Sequence, residues 1–129
     1  MICDNDLDVE IEVENPYVQV TGIRKHVRYT VKGRDENDSF AVERRFKEFL
    51  ALRKRLSERW PGFFIPSLPP KKATGNMDSN FVNKRQKLLN SFAKKCANIS
   101  HLYYTEEFQQ FLRGDANFHN IKRDRITVE

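Results

Sequence analysis

Arg85 stands where a charge is least expected. With a helical advance of about 100° per residue, Phe81, Val82, Leu88, Leu89, Phe92 and Cys96 fall on one apolar stripe, and Arg85 falls in its middle. A guanidinium buried without a partner is strongly unfavourable, so something anionic or rich in acceptors should meet it. The side chain can snorkel, pair with an internal carboxylate such as Glu43, or face a ligand pocket. A second cationic feature is Arg44-Arg45 in "VERRFKEF", where a β-branched and aromatic run passes into an amphipathic one. Strand alternation sends one arginine to each side of the sheet, without saying which. An arginine fork next to the aromatic Phe46 suits a phosphate held by two parallel hydrogen bonds, with a ring packed beside it; a solvated edge-strand pair is the plainer reading. The third feature is Lys71-Lys72, which follows a loop stiffened by Pro66, Pro69 and Pro70. A rigid loop fixes a lysine in space at reduced entropic cost. "PSLPPK" also fits PxxPxK, a ligand pattern for an aromatic-lined SH3 groove, although here the prolines sit inside a folded domain.

Other chemistries have little to stand on. The chain has no GxSxG, HExxH, CxxC or glycine-rich phosphate loop, and His26, His101 and His119 are scattered. No enzyme, metal site or cofactor is expected. Cys3 and Cys96 are the only cysteines, one in an expected tail and one on the apolar stripe, which favours a reduced, cytoplasmic setting. The 23 Lys and Arg exceed the 18 acids by five, and their placement is uneven: between Arg59 and Thr105 the only acid is Asp78. Such asymmetry points to an anionic partner, whether membrane, acidic protein or nucleic acid. The run Arg53, Lys54, Arg55 and Arg59 reads as an exposed helix face, as do Lys84, Lys87, Lys94 and Lys95. Nucleic acid is disfavoured, because interleaved exposed aromatics and a reading helix are both missing.

The elements that must position these residues follow from periodicity. "LDVEIEV" alternates strictly and predicts a half-buried antiparallel strand ended by Asn15-Pro16. Val27, Tyr29 and Val31 against Arg28, Thr30 and Lys32 predict a second strand. "GRDEND" is turn chemistry, and "SFAVERR" completes a meander. From Phe46 the period becomes helical, with Phe46, Phe49, Leu50, Leu56 and Trp60 on or beside one face and Pro61-Gly62 as the stop. Asp78 or Ser79 caps a helix over about Phe81 to Ala97. Thr105 caps another, with Glu106 and Glu107 at its positive end, Phe108, Phe111 and Leu112 docking it, and Gly114 as its stop. The fold class is α+β, a three-stranded antiparallel β-meander packed against a helical subdomain. Residues 1–6 are expected as a tail, 7–114 as the domain, and 115–129 as a tail or linker.

The meander, "RRFKEF", the "IPSLPPK" loop, "FVNKRQKLLNSF" and the terminal "EEFQQFL" together resemble a phox-homology (PX) domain of the sorting-nexin type, over roughly Leu7 to Arg113. The resemblance implies a module that binds phosphatidylinositol 3-phosphate and brings its host to endosomal membranes as a peripheral protein serving trafficking complexes. It implies that Arg45 grips the 3-phosphate, Phe46 floors the inositol ring, Lys71 meets the 1-phosphate and Arg85 hydrogen-bonds the 4- and 5-hydroxyls. Arg44 then supports the strand or the rim. The family more often has Tyr at the position of Phe46; Phe keeps the stacking face. The loop that enters the bilayer is usually rich in bulky apolar residues, whereas here Lys72, Ala73 and Met77 are what it offers. Insertion should be shallow, and firm attachment should need avidity or a second contact. The competing expectation is a protein-interaction module with PX architecture and a weak or unused lipid pocket.

Overall fold

The computed structural model describes residues 8–71 and 78–114. Three strands form one antiparallel meander in the order β1-β2-β3: β1 spans Glu10–Thr21, β2 Arg24–Arg34 and β3 Ser39–Arg45. Four helices follow: α1 Phe46–Arg59, α2 Ser79–Ala97, α3 Ser100–Tyr103 and α4 Glu106–Arg113. The α+β expectation holds. The short α3 was not foreseen.

The strand pattern is that of a sheet with one buried face. Ile11, Val13, Tyr29, Val31 and Phe40 turn inward and meet Phe49, Leu52 and Leu56 of α1, Leu89, Phe92 and Cys96 of α2, and Phe108 and Phe111 of α4. Phe49 is the hub of this core, edge-on to Tyr29, Phe92 and Phe111. Burial pushes the Cys96 thiol up to about 12, which leaves it an inert core group. Gly33 is required opposite Ile11 of β1, since a Cβ there would lie 1.9 Å from the Glu10 carbonyl oxygen.

Asn15-Pro16 does not end the first strand. β1 continues to Thr21, and the pairing slips between Glu14 opposite Thr30 and Tyr17 opposite Arg28. Two residues of β1 therefore stand against Tyr29 alone, which is a β-bulge. Asn15 takes φ +52° there, and the proline sits where a missing N–H breaks no regular ladder. The hairpin then turns at Gly22, whose φ of +64° suits glycine.

One long edge of the sheet is covered by side chains. Val13 N–H donates to Asn90 Oδ1, Val13 carbonyl accepts from Gln86, and Ile11 carbonyl accepts from Lys94. Three residues of α2 thus satisfy backbone groups that a fourth strand would otherwise take.

The second region of polar structure lies at the α4 end. Arg44 is fully buried; its Nε donates to the Phe111 carbonyl and an Nη to the Gly114 carbonyl, both at 2.9 Å, and Glu48 stands 3.8 Å away. Thr105 caps α4 by accepting from Phe108 N–H, and Gly114 follows its last turn. The β2–β3 turn is tied to the same end: Asp35 accepts from Tyr103 Oη, from the Asn37 and Asp38 N–H groups and from Arg113.

The basic face expected on α1 is corrected. Arg55 is buried, Arg53 donates to the carbonyls of Ile65 and Pro66, and Arg59 pairs with Glu107 at 2.8 Å. The proline-rich loop cannot build its own ladder, so its carbonyls take donors from α1 instead. Glu107 likewise does more than face the helix dipole, being buried against Arg59. Leu52, not Leu50, lies fully in the core, while Leu88 is exposed at the edge of the α2 stripe.

Candidate functional site

β3 passes into α1 without a connecting loop, and Arg45 occupies the junction as the N-cap position of α1. Its backbone N–H donates to Glu48 Oε1 at 2.8 Å, which fixes the entry to the helix. The choice that alternation left open is thereby made: Arg44 points into the core and Arg45 to the other side, beside the positive end of a fourteen-residue helix.

At that junction Arg45, Phe46 and Arg85 line one cleft of about 160 Å³, together with Lys25, His26, Val27, the inward-facing Tyr29 and Lys47. Arg85 is 7% exposed and sits between two aromatic faces, 3.7 Å from the Phe46 centroid and 4.4 Å from that of Phe81. One Nη donates to the Pro70 carbonyl at 3.0 Å. Its Nε is buried and has no hydrogen-bond partner among the described residues. The internal carboxylate considered for it, Glu43, instead accepts from Tyr17 Oη. Arg85 also lines a second hollow of about 260 Å³ whose walls are Pro69, Pro70, Lys71, Phe81, Lys84 and Leu88. It therefore joins the Arg45 cleft to the Lys71 hollow. Lys71 itself is exposed at the end of the proline-rich loop, which Arg53 anchors to α1. Lys72, Ala73 and Met77 lie outside the described residues.

Positive charge is held here at a cost. Burial pulls Arg85 below the usual arginine range. Burial, then the neighbouring Arg28 guanidinium, does the same to Arg45, which stands opposite Arg28 in the sheet register. Burial and the cations Arg45, Arg28, Arg24 and Lys47 lower His26. Each of these shifts would be relieved by an anion in the cleft. A larger hollow of about 450 Å³ along β2 and β3 suits an anion less, since Glu43 lines it and Arg44 is already engaged by carbonyls.

The contribution of β2 was missed from sequence. Lys25 and His26 lie beyond the end of β3 and reach the cleft only because the hairpin extends past the bulge. The signal present was "RKHVR", four basic or titratable residues in five, directly preceding the inward Tyr29.

A cleft at the end of a three-stranded meander, walled by arginines from β3 and α2, has the chemistry of an anion-binding module. The family model described as PX domain matches residues 33–115, and the chain belongs to that family, whose sorting-nexin members carry it as a phosphoinositide-binding, membrane-targeting module. The chain is similar to human sorting nexin-7, with 32% identity over 118 residues, covering 84% of this chain and 30% of that protein. It is similar also to sorting nexin-30 of Xenopus tropicalis, with 31% identity over 140 residues, covering 97% of this chain and 31% of the relative. The matches thus span about a third of the length of these relatives. Among solved structures, a designed CISK-PX domain superposes with a TM-score of 0.72 at 29% identity, over 80% of this chain and 97% of that one. The mouse SNX19 PX domain with bound sulphate ion gives a TM-score of 0.61 at 32% identity, over 80% and 93%. No helix among the described residues is long and apolar enough to cross a membrane.

Proposed function

We propose that this chain reads phosphatidylinositol 3-phosphate and brings its host protein to endosomal membranes from the cytoplasmic side, with residues 7–114 as the working module. Arg45 takes the 3-phosphate, assisted by the start of α1. Phe46 floors the inositol ring and carries the Arg85 guanidinium on its face. Arg85 directs its remaining donor capacity to the 4- and 5-hydroxyls, and Lys71 meets the 1-phosphate. Lys72, Ala73 and Met77 touch the bilayer surface, and partners in trafficking complexes supply further attachment.

The observation that carries this reading is Arg85. A buried guanidinium with an unused Nε, set between two aromatic rings and joining two cation-lined hollows, has the donors and the desolvation that a sugar phosphate would reward. The bound sulphate in the SNX19 PX structure is consistent with an anion site in a similar fold. Pelleting with vesicles that differ only in the 3-phosphate tests it: binding should favour phosphatidylinositol 3-phosphate over phosphatidylinositol by at least about tenfold, the size of one lost charge-assisted contact. Arg45→Ala should remove that preference without unfolding the domain. Equal binding to both lipids would overturn the reading.

A second reading, a protein-interaction module of the same fold, is favoured by one observation. Phe63 and Phe64 are mostly exposed, Phe63 against Trp60 and His101, just past the end of α1 far from Arg45. A partner retained equally by wild type and Arg45→Ala but lost on Phe64→Ser would support it.

A further inference from the structure

His26 is the one titratable group near neutral pH in the cleft, and it stands in unusual company. On its own strand it is flanked by Arg24, Lys25 and Arg28; β3 contributes Arg45, α1 contributes Lys47, and Arg85 of α2 lines the same cleft. From β1 it faces the uncharged Gln19, its register partner. The charged groups acting on it are Arg45, Arg28, Arg24 and Lys47, all cations. Histidines beside a carboxylate gain a proton easily; this one is surrounded by like charge and partly removed from water, which disfavours its charged form.

We propose that His26 is an additional headgroup contact that engages by taking up a proton, so that the cleft holds a phosphorylated inositol more tightly as pH falls. This rests on the phosphoinositide reading above and adds its regulation. The physical reason is mutual: a phosphate placed against Arg45 cancels the repulsion that keeps His26 neutral, so binding raises its proton affinity, and by reciprocity protonation raises the affinity for phosphate. The sign follows. In the free protein His26 titrates below the ordinary histidine value, and in the complex above its free value. Affinity is therefore lowest where His26 is neutral in both states, rises as pH falls through the bound-state value, and levels off below the free-state value. The headgroup phosphate acts oppositely, because a phosphate monoester loses its second charge near pH ~6. Only a comparison with a variant of fixed charge separates the two.

The test is affinity of the full chain for phosphatidylcholine vesicles carrying phosphatidylinositol 3-phosphate, measured from about pH 8 to about pH 5.5, a range spanning the ordinary histidine pKa. The ratio of wild-type to His26→Gln affinity should rise roughly fivefold towards acid, the effect of one more cation close to an anionic headgroup. His26→Lys, charged throughout, should bind more tightly than wild type at the alkaline end and lose that advantage at the acid end. The soluble headgroup, inositol 1,3-bisphosphate, should show the same ratio by calorimetry. Parallel pH profiles for wild type and His26→Gln would overturn the proposal while leaving the phosphoinositide reading intact. A dependence seen on vesicles but not with the soluble headgroup would overturn it too, moving the effect to the membrane surface. Failure of wild type to prefer the 3-phosphate at any pH would remove both.

Discussion

Arg44 and Arg45 are neighbours in sequence and opposites in circumstance, and the regions around them differ in the same way. Around Arg44 the donors meet fixed acceptors: the carbonyls of Phe111 and Gly114 at the end of α4. Nearby, Asp35 gathers Tyr103, Arg113 and two backbone N–H groups. Around Arg45 the cations outnumber their partners, and the nearest buried guanidinium, Arg85, leaves its Nε unused among the described residues. The first region spends its polar groups on holding β3 and the β2–β3 turn against α4. The second withholds them. A saturated buried network gives rigidity, while an unsaturated one gives a place for a ligand.

The comparison is open to attack by substitution, and the largest effect belongs to the saturated side. Arg44→Met should cost about 3 kcal/mol or more, because the Phe111 and Gly114 carbonyls lose their donor and buried Glu48 its ion-pair partner together; denaturant unfolding measures it, and a loss under about 1 kcal/mol would dissolve the contrast. Asp35 comes next. Burial would raise its carboxyl, but the hydrogen bonds from Tyr103, Asp38, Asn37 and Arg113 prevail and bring it from 3.8 down to about 2. Its depressed value means that the stability it lends is complete above about pH 4 and is lost as pH falls towards 2, an amount of about 2 kcal/mol. Asp35→Asn should remove that acid-sensitive portion, seen as a flatter stability profile across the same window.

On the ligand side the order of effects reverses. Arg85→Met should change stability by about 1 kcal/mol or less, since it exchanges a poorly satisfied guanidinium for an apolar chain between two rings. Headgroup binding should nevertheless fall by about tenfold or more, one charge-assisted contact. Stability loss as large as that of Arg44→Met would show that the two regions are alike. The smallest effect is reserved for Phe46→Tyr, which keeps the face that supports Arg85: stability and affinity should both stay within about 0.5 kcal/mol of wild type.

What could be read from the residues divides along the same line as local and distant structure. Ser39–Arg45 as a strand, the change of period at Phe46, the Thr105 cap and the anomaly of Arg85 all rest on neighbours within a turn or two, and each stands as expected. The errors came from partners far along the chain. Asn15-Pro16 has the composition of a stop, yet β2 supplies a ladder that a bulge can rejoin. Arg59 looks like part of a solvated face until Glu107 of α4 is laid beside it, and Arg55 of the same run is buried. Which of Arg44 and Arg45 faces inward depends on carbonyls 67 and 70 positions away. His26 and Lys25 were missed because a strand's own alternation says nothing of the helix end it will overhang.

The side chains of α2 that stand in for a fourth strand have a consequence for selectivity. Gln86, Asn90 and Lys94 grip the rim of the sheet from the same helix that carries Arg85, and Gln86 is its immediate neighbour. The roll of α2 about its own axis is thus clamped by two amides and an ammonium group that lie outside the Arg45 cleft. Altering that clamp would shift Arg85 within the cleft while leaving every residue that lines it unchanged.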